Sequence, residues 1–399
     1  MARRRARQST TPSAPTPPAA DSLTVPATSG ATPPVHVPVP PQESVVTDAQ
    51  AVVPVTTAST PVVAVVPAPA IVPPAPVVDE AALTTEARMA GRHITMFDRF
   101  YNILNTAAEV YEADPGRELT SAEEDTVEMY TALLNMIPSL KRQLELGGPG
   151  SIKTISMALH TGRNNARGDD IKVLKDKIFL WRTFLDVPAG AFTGARHLLG
   201  FQSRATGALL CPVNMDYDDQ NIAAGLRNGT IKVTPRDLPK FLWVGEKVQK
   251  ADNLFEGFLR GEMLVKAYLT IYISPSAGIY DDAGSGGRQG NAALHNVRHV
   301  SLSSIAYVAT LVRFVLSATP KWGQRNGDKD PFSETFYNWI LKLLCEAPAA
   351  DAVWHDDLLT WWQQRIFGND GPDDEANAME VADDDNSVAA QMFRMPALH

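Results

Sequence analysis

Cysteine is scarce in this chain of 399 residues, which contains only Cys211 and Cys345. Two cysteines are too few for a disulfide scaffold, and they fit a reducing compartment. No apolar signal core follows the arginines at residues 3–7, so we expect an intracellular protein, nuclear or cytoplasmic. The arginine cluster is either a nuclear-import or nucleic-acid element, or simply a basic patch.

Aromatic residues are absent from the first 80 residues, which hold 17 of the 30 prolines. Such a segment cannot bury enough apolar surface to offset the entropy lost on ordering. Residues 1–82 are therefore predicted to be a disordered, partly polyproline-II tail. Residues 369–399 are rich in Asp and Glu, and they are predicted to be a second disordered tail.

Strand patterns are also nearly absent, so the fold is predicted to be mainly α, with a loop-rich middle and few or no strands. Acidic N-terminal helices are expected over residues 84–146, with a capping box at Ser121 and Glu124. They need not belong to the main core, and they are a candidate interface for self-assembly. A compact helical domain is expected over residues 151–368.

This domain is organised around an apolar stretch, residues 301–318, in which Arg313 is the single charged residue. Apolar residues cover nearly the whole helical surface, which is typical of a buried central helix or a membrane span. The stretch is slightly short for a span and contains four serines, so we expect a buried helix and no membrane segment. A buried Arg313 then needs a carboxylate partner, and Glu262 and Asp357 are the candidates.

Further helices are predicted around this centre. Apolar residues recur at helical spacing over residues 169–185, 254–273, 330–345 and 351–367. In the second of these segments, Gly257 and Gly261 lie one turn apart on one face, so another helix is expected to approach closely there.

Motifs of well-characterised chemistry are missing. The Gly-rich loop at residues 284–290 lacks the Gly-Lys-Ser/Thr ending of a phosphate-binding loop, and no Gly-x-Ser-x-Gly elbow occurs. The eight histidines have no zinc-like spacing to cysteine or carboxylate residues. We therefore expect no metal and no cofactor. Arg288, Asn291 and His295 either line a cleft or are loop and cap residues that hold the chain in a turn.

Residues 151–210 have the strongest functional signal, because they contain nine bases and four acids and so carry a net charge of +5. Five of these bases are candidates for contacting a phosphate backbone: Arg163, Arg167, Lys172, Lys175 and Arg182. Arg163 and Arg167 are expected in a loop before the helix, and the lysines on its polar face. The alternative is that these bases pair internally with the acidic helices at residues 109–128 or with the acidic C-terminal tail.

Six short motifs follow one another at residues 166–175, 207–212, 254–268, 290–292, 304–314 and 357–362. In this order they resemble the signature of a domain family of unknown function that occurs in many copies in mushroom-forming (basidiomycete) fungi. The resemblance covers roughly residues 160–368. Gly287-Arg288-Gln289 departs from it, since a basic Thr-Arg-Ser is typical there. The resemblance implies no known activity, although the multi-copy spread is similar to that of mobile-element cargo.

We interpret the chain as a non-enzymatic intracellular protein that binds a protein or nucleic acid. The alternative is an enzyme of undefined class with a cleft at residues 288–295. The sequence indicates neither a substrate nor an oligomeric state.

Overall fold

The computed structural model describes residues 78–112, 117–188, 190–280, 290–325, 328–329 and 332–368. The predicted C-terminal tail and nearly all of the predicted N-terminal tail lie outside these residues. The first helix begins at Glu80, inside the segment predicted as a tail, because Asp79 caps it by accepting a hydrogen bond from the Ala82 amide.

The N-terminal helices are α1 (Glu80–Glu86), α2 (Ala90–His93), α3 (Phe100–Glu112), α4 (Ser121–Met136) and α5 (Leu140–Gly147). The capping box of α4 is formed by Thr120 and Glu123, one residue earlier than predicted. These helices pack against α6 (Ile152–Trp181), and their buried side chains form an apolar cluster with residues of α6 such as Ile155 and Leu159. They therefore belong to the folded body.

The middle of the chain is loop-rich, as predicted. It contains α7 (Arg204–Leu210), α8 (Gln220–Asn228), α9 (Glu262–Tyr268), a π-helical turn over Leu269–Ile273, α10 (Ala277–Tyr280) and α11 (Asn291–Leu294). The predicted helix over residues 254–273 is wrong in its first part. Gly257 and Leu259 adopt φ angles of 73° and 56°, which a right-handed helix does not contain.

Gly261, immediately before α9, does provide the predicted close approach, and its neighbour is the single 3-10 helical turn Lys240–Leu242. A Cβ atom at this position would lie 2.1 Å from the carbonyl oxygen of Phe241. Only glycine allows the start of α9 to pack directly on that backbone.

The central helix is α12 (Leu302–Leu316), and its prediction is confirmed. Ser301 caps its first turn: its hydroxyl accepts the Ser304 amide at 3.1 Å, and the Ser304 hydroxyl accepts the Ser301 amide at 3.0 Å. Nearly every side chain of α12 is buried, in the main apolar core that it shares with α6, α9 and α13 (Phe332–Phe367).

The last helix, α13, is interrupted at Asp351, whose φ of −156° and ψ of 87° are not helical. The Asp351 carboxylate accepts the Trp354 amide at 2.9 Å and so caps the second half. Two helical segments were predicted here, and the structure has both. The two short strands β1 (Gln324–Arg325) and β2 (Asp328–Lys329) pair antiparallel, and they are the only strands among the described residues. The mainly α fold is therefore confirmed for these residues.

Candidate functional site

A buried ion pair joins α2 to α6 and α12. Arg92 donates from Nη2 and Nε to the two carboxylate oxygens of Asp170, at 2.6 and 2.8 Å, and the Tyr307 hydroxyl donates to Asp170 Oδ2 at 2.7 Å. Arg92 and Asp170 are only 4% and 5% exposed. The carboxylate raises the pKa of Arg92 against the opposing effect of burial, and burial raises the pKa of Tyr307 well above its usual value.

Two stacked tyrosines extend this buried network. The Tyr272 hydroxyl donates to the Arg92 carbonyl at 2.6 Å, and the Tyr268 hydroxyl donates to Ser304 Oγ at 2.9 Å. Their ring centroids are 4.2 Å apart. Each of these polar groups has a protein partner and is shielded from solvent, so the network stabilises the junction of the helices and offers no access to a ligand.

Two histidines lie at the edge of the same junction. The His93 and His299 Nε2 atoms are 3.5 Å apart, and the Ser301 hydroxyl donates to the His93 carbonyl at 2.8 Å. Burial, with a smaller effect of His299, lowers the pKa of His93 to about 4. His93 is therefore neutral at physiological pH.

Arg163 and Arg167 do not lie in a loop, as expected from the sequence, because α6 already begins at Ile152. Arg163 is 6% exposed: it donates to the Asp98 carbonyl at 2.6 Å and lies 4.6 Å from the Phe100 ring. Arg167 is half-buried, 5.0 Å from the Trp322 ring. Burial lowers the pKa of both groups. Arg163 is thus a structural side chain, and it does not present its charge to a phosphate backbone.

The remaining three predicted bases have different surroundings. Lys172 is exposed, whereas Lys175 is half-buried with its Nζ 5.7 Å from the Phe314 ring. Arg182, directly after α6, forms an ion pair with Glu246. The five predicted bases therefore do not form one continuous positive face.

An exposed surface does run along the C-terminal half of α6. Lys172, Lys175 and Phe179 follow at three- and four-residue steps on one side of the helix. Phe179, Leu180 and Leu185 leave 49%, 53% and 93% of their surface exposed. Leu180 lies about 100° round the helix from Phe179, and Leu185 follows the end of α6. We call these five residues the α6 surface. It is an accessible part of the predicted basic segment, and it is both apolar and cationic.

The predicted cleft at residues 288–295 lies partly outside the described residues. Arg288 lies outside them. The Asn291 amide donates to the Ile271 carbonyl at 2.8 Å, so it fixes the start of α11 against the π-helical turn. His295 is half-buried, and burial lowers its pKa. Asn291 thus holds the chain in place at the start of α11, although the N-cap of this helix is Gly290.

Arg313 is half-buried rather than buried, and its guanidinium lies over two aromatic rings, 3.7 Å from the Phe332 centroid and 5.3 Å from that of Phe336. The carboxylates expected to pair with it bind other cations. Glu262 lies 2.8 Å from Lys266, and Asp357 lies 2.6 Å from Arg260. Both carboxylates are largely exposed, which explains why they pair near the surface.

A pocket of about 290 Å³ lies between the end of α6 and the start of α9. Its walls are apolar or aromatic, and the Arg182–Glu246 and Lys266–Glu262 ion pairs lie at its polar side. The lining residues used below are Trp181, Arg182, Phe241, Trp243, Glu246 and Lys266.

The described residues contain neither a metal-binding group nor a membrane-spanning helix. No three His, Cys, Asp or Glu side chains there are grouped as a metal ion would need. Within the same part of the chain, none of the helices has the length and apolar character that crossing a membrane requires.

The family model of DUF6698, a family of unknown function, matches residues 161–367. This match covers just over half of the 399 residues. The chain belongs to DUF6698. The expected resemblance to a family of unknown function is thereby confirmed. No curated protein and no solved structure matches the chain.

The DUF6698 match includes most of α6 and all of α7–α13, so it contains both the α6 surface and the pocket. The N-terminal helices, including Arg92, precede it. Sequence reasoning missed Asp170, although a signal was present. Ala166, Asp170 and Leu174 follow at four-residue steps, which places an acid within an apolar helical face and indicates a buried partner.

Proposed function

We propose that this protein acts by binding, and that the α6 surface contacts a protein segment that combines acidic and apolar side chains. The observation that carries this proposal is the exposure of Phe179 and Leu180 on the same part of α6 as Lys172 and Lys175, with the exposed Leu185 shortly after the helix. Large apolar side chains exposed together are typical of protein interaction surfaces.

Charge supports an acidic partner. Lys172, Lys175 and Lys177 carry three positive charges on this part of α6, and Asp176 carries one negative charge, which leaves +2. The nearby Asp186 is already engaged, since its carboxylate accepts the backbone amides of Arg204 and Ala205 at the start of α7. Positive potential steers an acidic segment to the surface, while burial of the apolar side chains supplies the affinity.

Nucleic acid is the less favoured partner, because few of the predicted bases are free to contact a phosphate backbone. A phosphate backbone is bound by several cations, and Arg163 and Arg167 face inward while Arg182 is paired with Glu246. Exposed leucine side chains add nothing to a phosphate contact. The geometry thus favours a protein partner among the two expected from the sequence.

The test is fluorescence anisotropy of the full chain with three labelled probes: a short peptide alternating Glu with Leu and Phe, a Glu/Ser peptide of equal charge, and a DNA duplex. We expect the first peptide to bind most tightly and to keep most of its affinity between about 50 and 200 mM salt. Binding of DNA but not of the Glu/Leu/Phe peptide, or binding of no probe, refutes the proposal.

A further inference from the structure

The pocket at the end of α6 contains a buried donor without an acceptor. The indole Nε1 of Trp181 is shielded from solvent and has no hydrogen-bond partner among the described residues. Leaving such a group unpaired costs about 1–3 kcal/mol. Trp181 lines the pocket, so a bound molecule that displaces the group covering this N–H is able to supply the missing acceptor.

Two cations line the same pocket. Arg182 is directly next to Trp181 in the chain, and Lys266 is contributed by α9. The guanidinium pairs with Glu246 and the ammonium group with Glu262, so an anionic ligand would compete with these two carboxylates for the donors of the pocket. A carboxylate has the planar, bidentate shape that suits the arginine fork.

Glu246 already provides such a carboxylate to Arg182. It does so with a φ of 60°, in the left-handed region, where residues other than glycine are uncommon. Backbone strain of this kind concentrates at ligand-binding and switching positions. A carboxylate that enters the pocket would therefore compete with Glu246 for the Arg182 guanidinium.

The aromatic walls of the pocket indicate what the uncharged part of the ligand is. Phe241 and Trp243 are buried aromatic side chains, 1% and 3% exposed, and both line the pocket. The volume of about 290 Å³ is at the lower end of the range for small-molecule sites. We infer that this pocket binds a small aromatic carboxylate, which displaces Glu246 from Arg182 and accepts the Trp181 N–H.

This site is distinct from the α6 surface. No residue of the α6 surface lines the pocket, and Trp181 points to the opposite side of α6 from Lys172 and Phe179, although Leu180 is its neighbour in the chain. The inference therefore does not rest on the proposed protein partner, and either can fail without the other.

The test is calorimetric titration of the full chain with phenylacetate, compared with the neutral phenylacetamide and the cationic phenethylamine. We expect a dissociation constant for phenylacetate on the order of 1 mM or below, and weaker binding of the other two. Trp181→Phe keeps the ring and removes the N–H, and Arg182→Gln removes the charge. Each should weaken phenylacetate binding about tenfold or more, since each removes a hydrogen bond to a charged group.

Glu246→Gln should have the opposite effect, because it removes the competing carboxylate, and we expect phenylacetate to bind several-fold more tightly. The matched control is Glu256→Gln, which removes a surface carboxylate that pairs with Lys250 at 2.7 Å and should leave the affinity unchanged. Trp361→Phe controls for the loss of an indole elsewhere. Equal binding of acid and amide, no binding of phenylacetate, or weaker binding by Glu246→Gln would each overturn the inference.

Discussion

Substitution of Asp170 tests how the buried ion pair stabilises the fold. Asp170→Asn removes the charge that compensates Arg92, which is 4% exposed and donates two hydrogen bonds to this carboxylate. Removing one partner of a buried pair costs about 3–5 kcal/mol, because the other charge remains buried. Tyr307 also loses its charged acceptor. We therefore expect the free energy of unfolding to fall by about 3 kcal/mol or more.

The neighbouring acid provides a matched control. Asp169 pairs with Arg88 at 2.6 Å, but its side chain is 64% exposed. Exposed pairs contribute at most about 1 kcal/mol, so Asp169→Asn should be nearly neutral. The free energies are measured by urea denaturation of the full chain and its variants, followed by far-ultraviolet circular dichroism.

A double-mutant cycle measures the interaction energy between Arg92 and Asp170 separately from their contacts with other residues. Arg92→Met combined with Asp170→Asn removes both charges, so the double variant should be destabilised by less than the sum of the single variants. If Asp170→Asn and Asp169→Asn have equal effects, or if the Arg92 and Asp170 effects simply add, the ion pair does not have the role assigned to it.

Other parts of the fold give three further expectations. Burial lowers the pKa of His93 to about 4, so the unfolded chain binds this proton first as pH falls from 6.5. Stability should therefore decrease towards pH 4, by up to about 1.4 kcal/mol per pH unit, and His93→Gln should flatten this slope in urea titrations at several pH values. Gly261→Ala should destabilise by about 1–3 kcal/mol in the same assay, since its Cβ would overlap Phe241, whereas Gly168→Ala, with open space on α6, should stabilise by up to about 1 kcal/mol. Ser301→Ala should cost about 1 kcal/mol through loss of the α12 cap, and an unchanged unfolding midpoint would contradict that role.

The features that could be predicted from sequence depend on local patterns. The apolar run of α12 involves neighbouring residues only, so periodicity was sufficient to place it. The predictions failed where the structure depends on the exact start of a helix, which sets the direction of its side chains, or on contacts between distant parts of the chain. Arg163 was counted with the accessible bases because α6 was expected to start after it, whereas the longer helix turns it towards Asp98 and Phe100.

The pocket was beyond sequence reasoning for a related reason. Its lining residues come from the end of α6 at Trp181, the turn around Phe241 and the start of α9 at Glu262, and loops and short helices separate these three segments. Pairing of Arg182 with Glu246 depends on a positive φ that a glutamate rarely adopts. No motif or periodicity indicates such a contact.

Binding of the Glu/Leu/Phe peptide to a variant of the α6 surface tests the central claim most directly. Phe179→Ser and Leu185→Ser together remove two exposed apolar side chains without changing any charge. Val353→Ser, at an 81% exposed position of α13, is the matched control. We predict that the double variant loses at least about tenfold in affinity, from burial worth about 1.5–3 kcal/mol per side chain, and that the control retains wild-type affinity. Equal affinity of all three proteins would contradict a binding function for this surface.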